Sequence, residues 1–362
     1  MLFSRFDHEC MAMALRLAGR GRFTTQPNPR VGCIIAKDQR ILGQGWHRVA
    51  GGPHAEIEAL DDAGKNTEGS TAYITLEPCS HHGKTAPCVD ALIKAAVARV
   101  VIASNDPNPL VDGSGAERLH AAGIKVESGL MAAQAEALND GFFKRMRDGL
   151  PWVRVKTAIS LDGRTALENG ASKWISSAES RQDVQRWRAQ SCAILTGIGT
   201  VLADDPNMTV RLPGIGRQPL RVIADSRWRT PAGSRILSEP ASAVIFGDAS
   251  IEIPPELSSL GVSCVPLNTE EGMLPLRALL SSLASMEINE VQVEAGAVLC
   301  GTLLRAGLVD EILLYQAPVL LGDGGAGPFT FGPLESMQDR THLIVLETVQ
   351  MGQDTRIRLR PK

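Results

Sequence analysis

Residues 75–88 read Thr75-Leu76-Glu77-Pro78-Cys79-Ser80-His81-His82-Gly83-Lys84-Thr85-Ala86-Pro87-Cys88, and upstream of them stands Gly51-Gly52-Pro53-His54-Ala55-Glu56. His54, Cys79 and Cys88 supply one imidazole and two thiolates. Three protein ligands hold zinc with a fourth position open for water, the arrangement of a catalytic rather than a structural site. Glu56 is the acid left over. Side chains two apart on a regular helix point away from each other, so His54 and Glu56 can serve one metal only where a helix begins, and Gly51-Gly52-Pro53 offers such a start. A helix start near Cys88 would likewise lower its thiol pKa and favour the thiolate. Zinc brings the pKa of its water from ~16 towards 7. In a zinc deaminase the resulting hydroxide attacks the ring carbon that bears the exocyclic amine, and a non-ligand glutamate protonates the ring and then the departing ammonia. H-x-E followed by P-C fits that chemistry. A closed structural zinc, with His81 or His82 as fourth ligand, is the plainer alternative.

One spacing departs from the general deaminase signature. There the second cysteine follows the first by three positions, whereas here eight residues intervene between Cys79 and Cys88. The insertion SHHGKTAP argues against a nucleic-acid or cytidine editor. It brings His81, His82, Lys84 and Thr85 beside the metal, a set suited to hydrogen-bonding an anion.

Outward from this stretch, the first half alternates strands and helices. TAYITL (71–76) reads as a strand that runs directly into Glu77-Pro78-Cys79. Asp7 caps a helix whose Met11, Ala14, Leu15 and Ala18 fall at helical spacing, stopped by Gly19 and Gly21. VGCIIAK (31–37) and ILGQGWH (41–47) form a hairpin through Asp38-Gln39-Arg40. A helix opens at His54, another covers 91–98, and a third ends at Ala121, between strands at 99–104 and 124–129. That order predicts a layered α/β sandwich with the parallel part of its sheet buried. Asn139–Leu150 ends a helix and exits through Asp-Gly-Leu-Pro, which divides the chain into 1–149 and 150–362. A second alternation starts at Trp152, passes a helix over 177–190, and reaches strands at CAILTG, LRVIADS, ASAVIFG and EVQVEAG. LIVLETVQ (343–350) and DTRIRLR (354–360) close it as an antiparallel hairpin, while 235–285 yields little.

Composition limits the partners. The 362 residues carry 37 Lys+Arg against 40 Asp+Glu, a formal net charge of -3, with neither half strongly cationic, so no nucleic-acid partner is expected. No window reaches the ~18–20 apolar residues of a membrane span, so no membrane partner is expected either. Asp7, His8 and Glu9 interrupt the position where a secretory signal needs an apolar core. Seven scattered cysteines suit a reducing compartment, and the expected location is cytoplasmic. A homo-oligomer is compatible with this reading.

The second half is chemically less explicit. Glu294-Ala-Gly-Ala-Val-Leu-Cys-Gly-Thr302 follows the strand EVQV and opens a helix, where small residues let backbone N–H groups approach a phosphate. It lacks the G-x-G-x-x-G fingerprint, and a tight strand-to-helix turn explains it equally well. Asp204-Asp205-Pro206-Asn207, with Thr209 and Arg211, can cap a helix or hold a ligand. Arg188 and Arg211 can each grip a phosphate through a planar fork of donors. Lys156 and Asp162 are the polar candidates for a general acid, and neither is compelled to be one.

FTTQPNPRVGC, GGPHAE and TLEPCSHHGKTAPC together resemble the deaminase domain of the bifunctional riboflavin-biosynthesis deaminase–reductases. The resemblance implies a cytidine-deaminase-like three-layer α/β sandwich, zinc on His54, Cys79 and Cys88, and Glu56 as proton shuttle. It also implies a phosphoribosylated diaminopyrimidinone substrate near Asn28, His47, Lys84 and Thr85. KTAISLDGRTA, SKWIS, LTGIGTVLADDPNMTVR and VEAGAVLCGTLL resemble the reductase domain of the same family, similar in fold to dihydrofolate reductase. By that match Ala158, Trp174, Thr200, Asp204, Ser226 and Gly296, Ala297, Val298, Leu299, Cys300, Gly301 and Thr302 would contact NADPH, while Ser172, Arg188, Met208, Arg211 and Glu294 would hold the pyrimidine and ribose phosphate.

The expectation is therefore a two-domain α/β enzyme. A zinc-dependent deaminase in 1–149 removes the 2-amine of 2,5-diamino-6-(5-phosphoribosylamino)pyrimidin-4(3H)-one. An NADPH-dependent reductase in 150–362 then reduces the ribosyl group of 5-amino-6-(5-phosphoribosylamino)uracil to ribityl. The rival readings are a deaminase whose second half binds nucleotide without reducing anything, and a zinc-stabilised nucleotide-binding regulator without turnover.

Overall fold

The computed structural model describes residues 3–80, 87–108, 111, 113–238 and 242–362. The chain divides into two units, Met1–Gly149 and Leu150–Lys362.

The first unit is built on strands β1 (Gly32–Lys37), β2 (Arg40–Trp46), β3 (Thr71–Leu76), β4 (Arg99–Ser104) and β5 (Lys125–Ser128), in the order β2-β1-β3-β4-β5. β1 is antiparallel to β2 and β3, and β3, β4 and β5 run parallel. Alternating side chains leave a strand on opposite faces, and both faces here are apolar. Cys33, Ile35, Ala72, Ile74, Val100 and Ile102 pack with Ala55, Ala59, Val89 and Leu92 on one side. Ile34, Ala36, Tyr73, Val101 and Ala103 pack with Cys10, Met11, Ala14 and Leu15 on the other. The result is a three-layer sandwich. Helix α1 (Arg5–Ala18) covers one face, and α2 (Ala55–Ala63) with α3 (Cys88–Lys94) covers the other.

Three local details differ from the sequence reading. The helix expected over 91–98 is α3, which starts at Cys88 and ends at Lys94. Ser4, not Asp7, caps α1; Asp7 is the third helical residue and completes a capping box with Ser4. The Asp7 carboxylate also accepts from Tyr73 Oη at 2.7 Å and pairs with Arg99 at 2.7 Å, which takes it into the interior. The hairpin turn is two residues long, with Asp38 and Gln39 both left-handed (φ 51° and 59°) and Arg40 already paired to Lys37, as a strand-matched turn requires.

In the second unit nine strands run β6 (Trp152–Ile159), β7 (Ala193–Gly197), β8 (Leu220–Ala224), β9 (Ala243–Asp248), β10 (Ser263–Leu267), β11 (Glu290–Val293), β12 (Glu311–Gln316), β13 (Leu343–Met351) and β14 (Asp354–Pro361). Their order is β10-β9-β8-β7-β11-β6-β12-β14-β13. The seven strands from β10 to β12 are parallel, and β14 and β13 add the antiparallel hairpin. The uninformative segment 235–285 holds β9, the edge strand β10 and the helix Leu276–Ser285. Chain order reverses around β6 and β11, and the carboxyl ends of strands at such a switch point are where open α/β sheets bind ligands.

The seat of α2 depends on absent side chains. A Cβ at Gly43 would lie 2.3 Å from the Ala59 carbonyl oxygen, and one at Gly45 would lie 2.4 Å from that of Ala55. Ala55 and Ala59 are fully buried against this stretch of β2, so helix and strand meet backbone to backbone, one residue past His54. Gly45→Ala is expected to push α2 off β2, to destabilise the first unit by about 1–3 kcal/mol, and to lower its zinc content. Thermal melts with metal analysis check this; an unchanged melt with full zinc content would refute it.

Candidate metal centre and reductive cavity

In the first unit three segments deliver three soft donors to one place. β3 ends at Leu76 and releases Cys79 two residues beyond Glu77. His54 is the N-cap of α2 in an extended conformation (φ -76°, ψ 165°), and Cys88 is the first residue of α3, capped by Pro87. The extended cap breaks helical spacing and lets His54 and Glu56 turn to the same side. His54 Nδ1 lies 3.1 Å from Cys88 Sγ and 3.6 Å from Cys79 Sγ, and the Cys88 amide donates to Cys79 Sγ at 3.4 Å. The three ligand atoms all lie within 4.8 Å of one another. One ring nitrogen facing two sulfurs at these separations suits the donor set and tetrahedral preference of zinc.

The electrostatics favour the thiolate at Cys79 and reverse the lowering expected of Cys88. The Cys88 hydrogen bond, ahead of His54, moves the Cys79 thiol down, while Cys88, as donor of that bond and under burial, moves up. His54 moves up through its hydrogen bond to Cys79 against the pull of burial. Glu56 is 3% exposed, and burial pushes its carboxyl up against the attraction of His54. A buried carboxyl whose affinity for protons is raised is suited to carry one.

Asn28 and His47 stand beside this cluster. His47 Nδ1 is 2.9 Å from the Pro53 carbonyl, which must take its proton, so Nε2 accepts from Asn28 Nδ2 at 3.1 Å. The rings of His47 and His54 meet edge to face at 5.4 Å. Lys84 and Thr85, with His81 and His82, lie outside the described residues. The sequence reading gave Glu77 no role, yet its buried carboxylate accepts from four backbone amides, those of Asp106, Gly113, Gly115 and Ala116. The signal available was an acid directly after a buried strand with two glycines downstream.

The second unit holds a cavity of about 880 Å³ at the carboxyl ends of β6, β7 and β11. Of the expected cofactor residues, Ala158, Trp174, Thr200, Asp204, Gly296 and Ala297 line it, and all five expected substrate residues, Ser172, Arg188, Met208, Arg211 and Glu294, do so as well. Ser226 and the run from Val298 to Thr302 are not among its described lining residues. Gly296 is an N-cap and residues from Ala297 on form the helix Ala297–Arg305, so only the first turn faces the cavity. Val298 is 69% exposed, Cys300 is buried in the core, and a Cβ at Gly301 would meet the Thr330 carbonyl oxygen at 2.1 Å.

The Arg188 fork differs from the phosphate grip expected of it. Its Nε and Nη2 hold the two Glu294 oxygens at 2.7 and 2.8 Å, and Nη1 donates to the Thr209 carbonyl at 3.1 Å. Arg211 lines the cavity exposed. Lys156 also lines it; burial pulls its ammonium below the usual lysine range, against the attraction of Glu294. Asp162 instead accepts from the Leu321 and Gly322 amides and holds loops together. Lys173 pairs with Asp204 at 3.0 Å, and the Arg181 guanidinium lies 4.7 Å from the centre of the Trp174 ring.

Two family models match the chain. The cytidine and deoxycytidylate deaminase zinc-binding region covers residues 4–104, and the RibD C-terminal domain covers residues 151–357. The riboflavin biosynthesis protein RibD of Escherichia coli K12 is 48% identical over 367 residues, spanning 98% of this chain and 99% of that protein. RibD of Haemophilus influenzae is 42% identical over 373 residues, spanning 99% of each. Among solved structures, RibD of Acinetobacter baumannii superposes with a TM-score of 0.93 at 45% identity, over 99% of both chains. A Thermotoga maritima protein described as a diaminohydroxyphosphoribosylaminopyrimidine deaminase/5-amino-6-(5-phosphoribosylamino)uracil reductase superposes at 0.88 with 32% identity, again over 99% of both.

Cys88→Ser is expected to cut bound zinc from one per chain to a small fraction, read by elemental analysis; retention of a full equivalent would exclude Cys88 as a ligand. A second expectation concerns pH. Burial alone would raise the Glu294 carboxyl, but Arg188, Lys156 and Gln292 outweigh it and hold it at about 2, below its ordinary 4.5. A carboxyl depressed on folding stabilises the fold above its unfolded pKa, and that contribution fades as pH falls from 4.5 through 2. Relative to the protonated carboxyl in the same fold, the ionised form gains on the order of 3 kcal/mol. Stability of the Glu294→Gln variant, followed by denaturant melts at stepped pH, is expected to fall less steeply over that window than wild type; parallel curves would contradict it.

Proposed function

The chain belongs to the RibD family of riboflavin-biosynthesis proteins, and from that premise we propose how its residues divide the work of a bifunctional deaminase and reductase. It is an enzyme of phosphorylated pyrimidines, with Zn²⁺ and NADPH fitting its two domains. We assign deamination of the diaminopyrimidinone to 1–149 and reduction of the ribosyl group to 150–362. The observation that carries the first assignment is His54 Nδ1 set between two sulfurs with Glu56 buried against them.

His54, Cys79 and Cys88 would hold the zinc. Zinc there supplies Lewis acidity, which makes water a competent nucleophile at neutral pH. A Glu56 carboxylate oxygen takes the proton that water loses on attacking the ring carbon and passes it to the ring nitrogen; it then takes the proton of the hydroxyl now on that carbon and gives it to the amine, which leaves as ammonia as the C=O forms. Asn28 and His47 form a polar wall: the imidazole, kept neutral chiefly by burial, holds the Asn28 amide through Nε2, and the remaining N–H and the carbonyl oxygen of that amide can hydrogen-bond the pyrimidine. Lys84 and Thr85 are assigned to the substrate on the strength of the family motif alone.

NADPH supplies the hydride for the second reaction. Around it Ala158, Trp174, Thr200, Asp204, Gly296 and Ala297 are assigned to the cofactor, together with Ser226 and Val298, Leu299, Cys300, Gly301 and Thr302, for which the support is again the motif. Arg211 is the phosphate ligand best supported by exposure and position, and Ser172 and Met208 are assigned to the same substrate. Arg188 acts on the substrate through Glu294, whose orientation it holds, and Glu294 and Lys156 together present charge to the ribose. Alignment of nicotinamide and sugar carbon, with water kept out, is the protein's share of hydride transfer.

The family model over residues 151–357 and a built cavity argue against a second half that only binds nucleotide, and the buried spare acid argues against a regulator without turnover. We further propose a cytoplasmic enzyme without nucleic-acid or membrane partners. None of the seven cysteines forms a disulfide, and no helix among the described residues is long and apolar enough to cross a membrane. Glu56→Gln is expected to slow deamination by about 10²–10⁴ while keeping its zinc. NADPH oxidation on the deaminated product, followed by absorbance, is expected to be unaffected. A variant that deaminates at the wild-type rate would remove Glu56 from the mechanism.

A further inference from the structure

We propose that the helix Ser114–Ala121 is a bracket that sets the separation of the two cysteine segments, with Glu77 and Arg118 as its positioning residues. The inference rests on the zinc reading of His54, Cys79 and Cys88.

A C-x-x-C pair fixes its two sulfurs through one turn of chain. With eight residues between Cys79 and Cys88, chain length alone constrains the two sulfurs less than one turn does, and contacts from outside the segment can set the distance. The contacts of this helix do that on both segments. The Glu77 carboxylate, 4% exposed, accepts from Gly115 and Ala116 at 3.1 and 3.2 Å through Oε1, and from Gly113 and Asp106 at 3.1 and 3.3 Å through Oε2. Its charge therefore sits on the first turn of the helix, where the dipole favours an anion. A Cβ at Gly115 would lie 2.2 Å from the Pro78 carbonyl oxygen, so the helix is pressed onto the residue before Cys79. Ser114 Oγ meets Ser80 Oγ at 2.6 Å.

One turn further on, a single guanidinium spans both segments. Arg118 Nη1 donates to the Ser80 carbonyl at 2.6 Å, one residue after Cys79, and Nη2 pairs with Asp90 at 2.5 Å, in the first turn of α3 that Cys88 begins. Arg118 and Asp90 are both about 40% exposed along their side chains. An ion pair so placed contributes little to global stability, which separates its effect on the metal from an effect on the fold.

The test uses the full-length chain loaded with zinc and challenged with a chromogenic chelator, alongside the Co²⁺-loaded chain. Arg118→Ala is expected to release zinc about ten- to a hundredfold faster, the range seen when groups supporting metal ligands are removed. It is also expected to change the thiolate-to-cobalt absorption, with the melting temperature and the reductase rate unmoved. Asp90→Asn should show part of the effect and add nothing to Arg118→Ala, because one guanidinium serves both contacts. Arg118→Lys, with a point charge in place of a fork, should recover only part. Glu77→Gln should move both readouts in the same direction; as that side chain is buried, Arg118→Ala is the variant on which the bracket stands. Wild-type zinc retention and an unaltered cobalt spectrum in Arg118→Ala would overturn the bracket alone, whatever its melting temperature. A wild-type chain that takes up no zinc would overturn the metal reading and the bracket with it.

Discussion

An imidazole nitrogen and two sulfurs gathered in one small buried volume must share protons or share a cation. In this chain the sharing is visible as opposed shifts: Cys79 drawn down by the Cys88 and His54 donors, Cys88 held up as the donor. A divalent ion replaces those protons and lets both sulfurs act as thiolates. The rest of the first unit serves that convergence. Gly43 and Gly45 let α2 lie on β2 backbone to backbone, which carries His54 and Glu56 to the end of the β3 strand. The same face of the sheet supplies Cys33, fully buried and close enough to Glu56 for the carboxylate to push its thiol pKa up, after burial itself. Glu56 is thus walled by apolar core on one side and by donors on the other.

The second unit meets a similar demand with a different device. Its cavity is anchored by a buried ion pair, and such pairs seldom add much net stability because desolvation offsets the Coulomb gain. What the Arg188–Glu294 fork supplies is direction: both carboxylate oxygens are held, Gln292 adds a third donor at 2.7 Å to Oε1, and the carboxyl stays ionised. A further network extends around it. Tyr315 Oη and Arg356 Nη1 both donate to Asp183 Oδ2 at 2.8 Å, tying β12 and β14 to the helix Ala178–Gln190 on which Arg188 stands. The cavity wall is therefore braced from the antiparallel edge of the sheet, and the closing hairpin is part of how the site is positioned.

Features whose signal is local were legible in the sequence. The H-x-E and E-P-C motifs, the strand 71–76 and the hairpin at 38–39 each carry their chemistry within a few residues, and the break at Gly149-Leu150 does so too. The cap of α1 was placed three residues late because Asp7 is also a capping residue type, and only the tertiary partners Tyr73 and Arg99 reveal why it is drawn inward. β10 was passed over because Pro266 is compatible with a strand only at an edge, a position sequence alone does not assign. β12 is buried on both faces, so EILLYQ shows no alternation to read. The roles of Arg188 and Glu77 were out of reach for one reason. A long side chain is committed by whichever partner the fold brings to it, and Glu294 and the amides near Gly115 lie far from them in sequence.

That dependence on distant partners also explains why the wide cysteine spacing is tolerated. Lengthening the loop from two intervening residues to eight is two doublings, and each doubling costs only about 0.6 kcal/mol of closure entropy. The thermodynamic penalty is small beside the free energy with which thiolates and imidazole bind zinc. What the longer spacing loses is local control over where the second sulfur sits. Control is restored by elements that are already rigid. Cys88 opens a helix, so its backbone direction is set by α3, and Asp90 on the same turn is tied through Arg118 to the carbonyl beside Cys79.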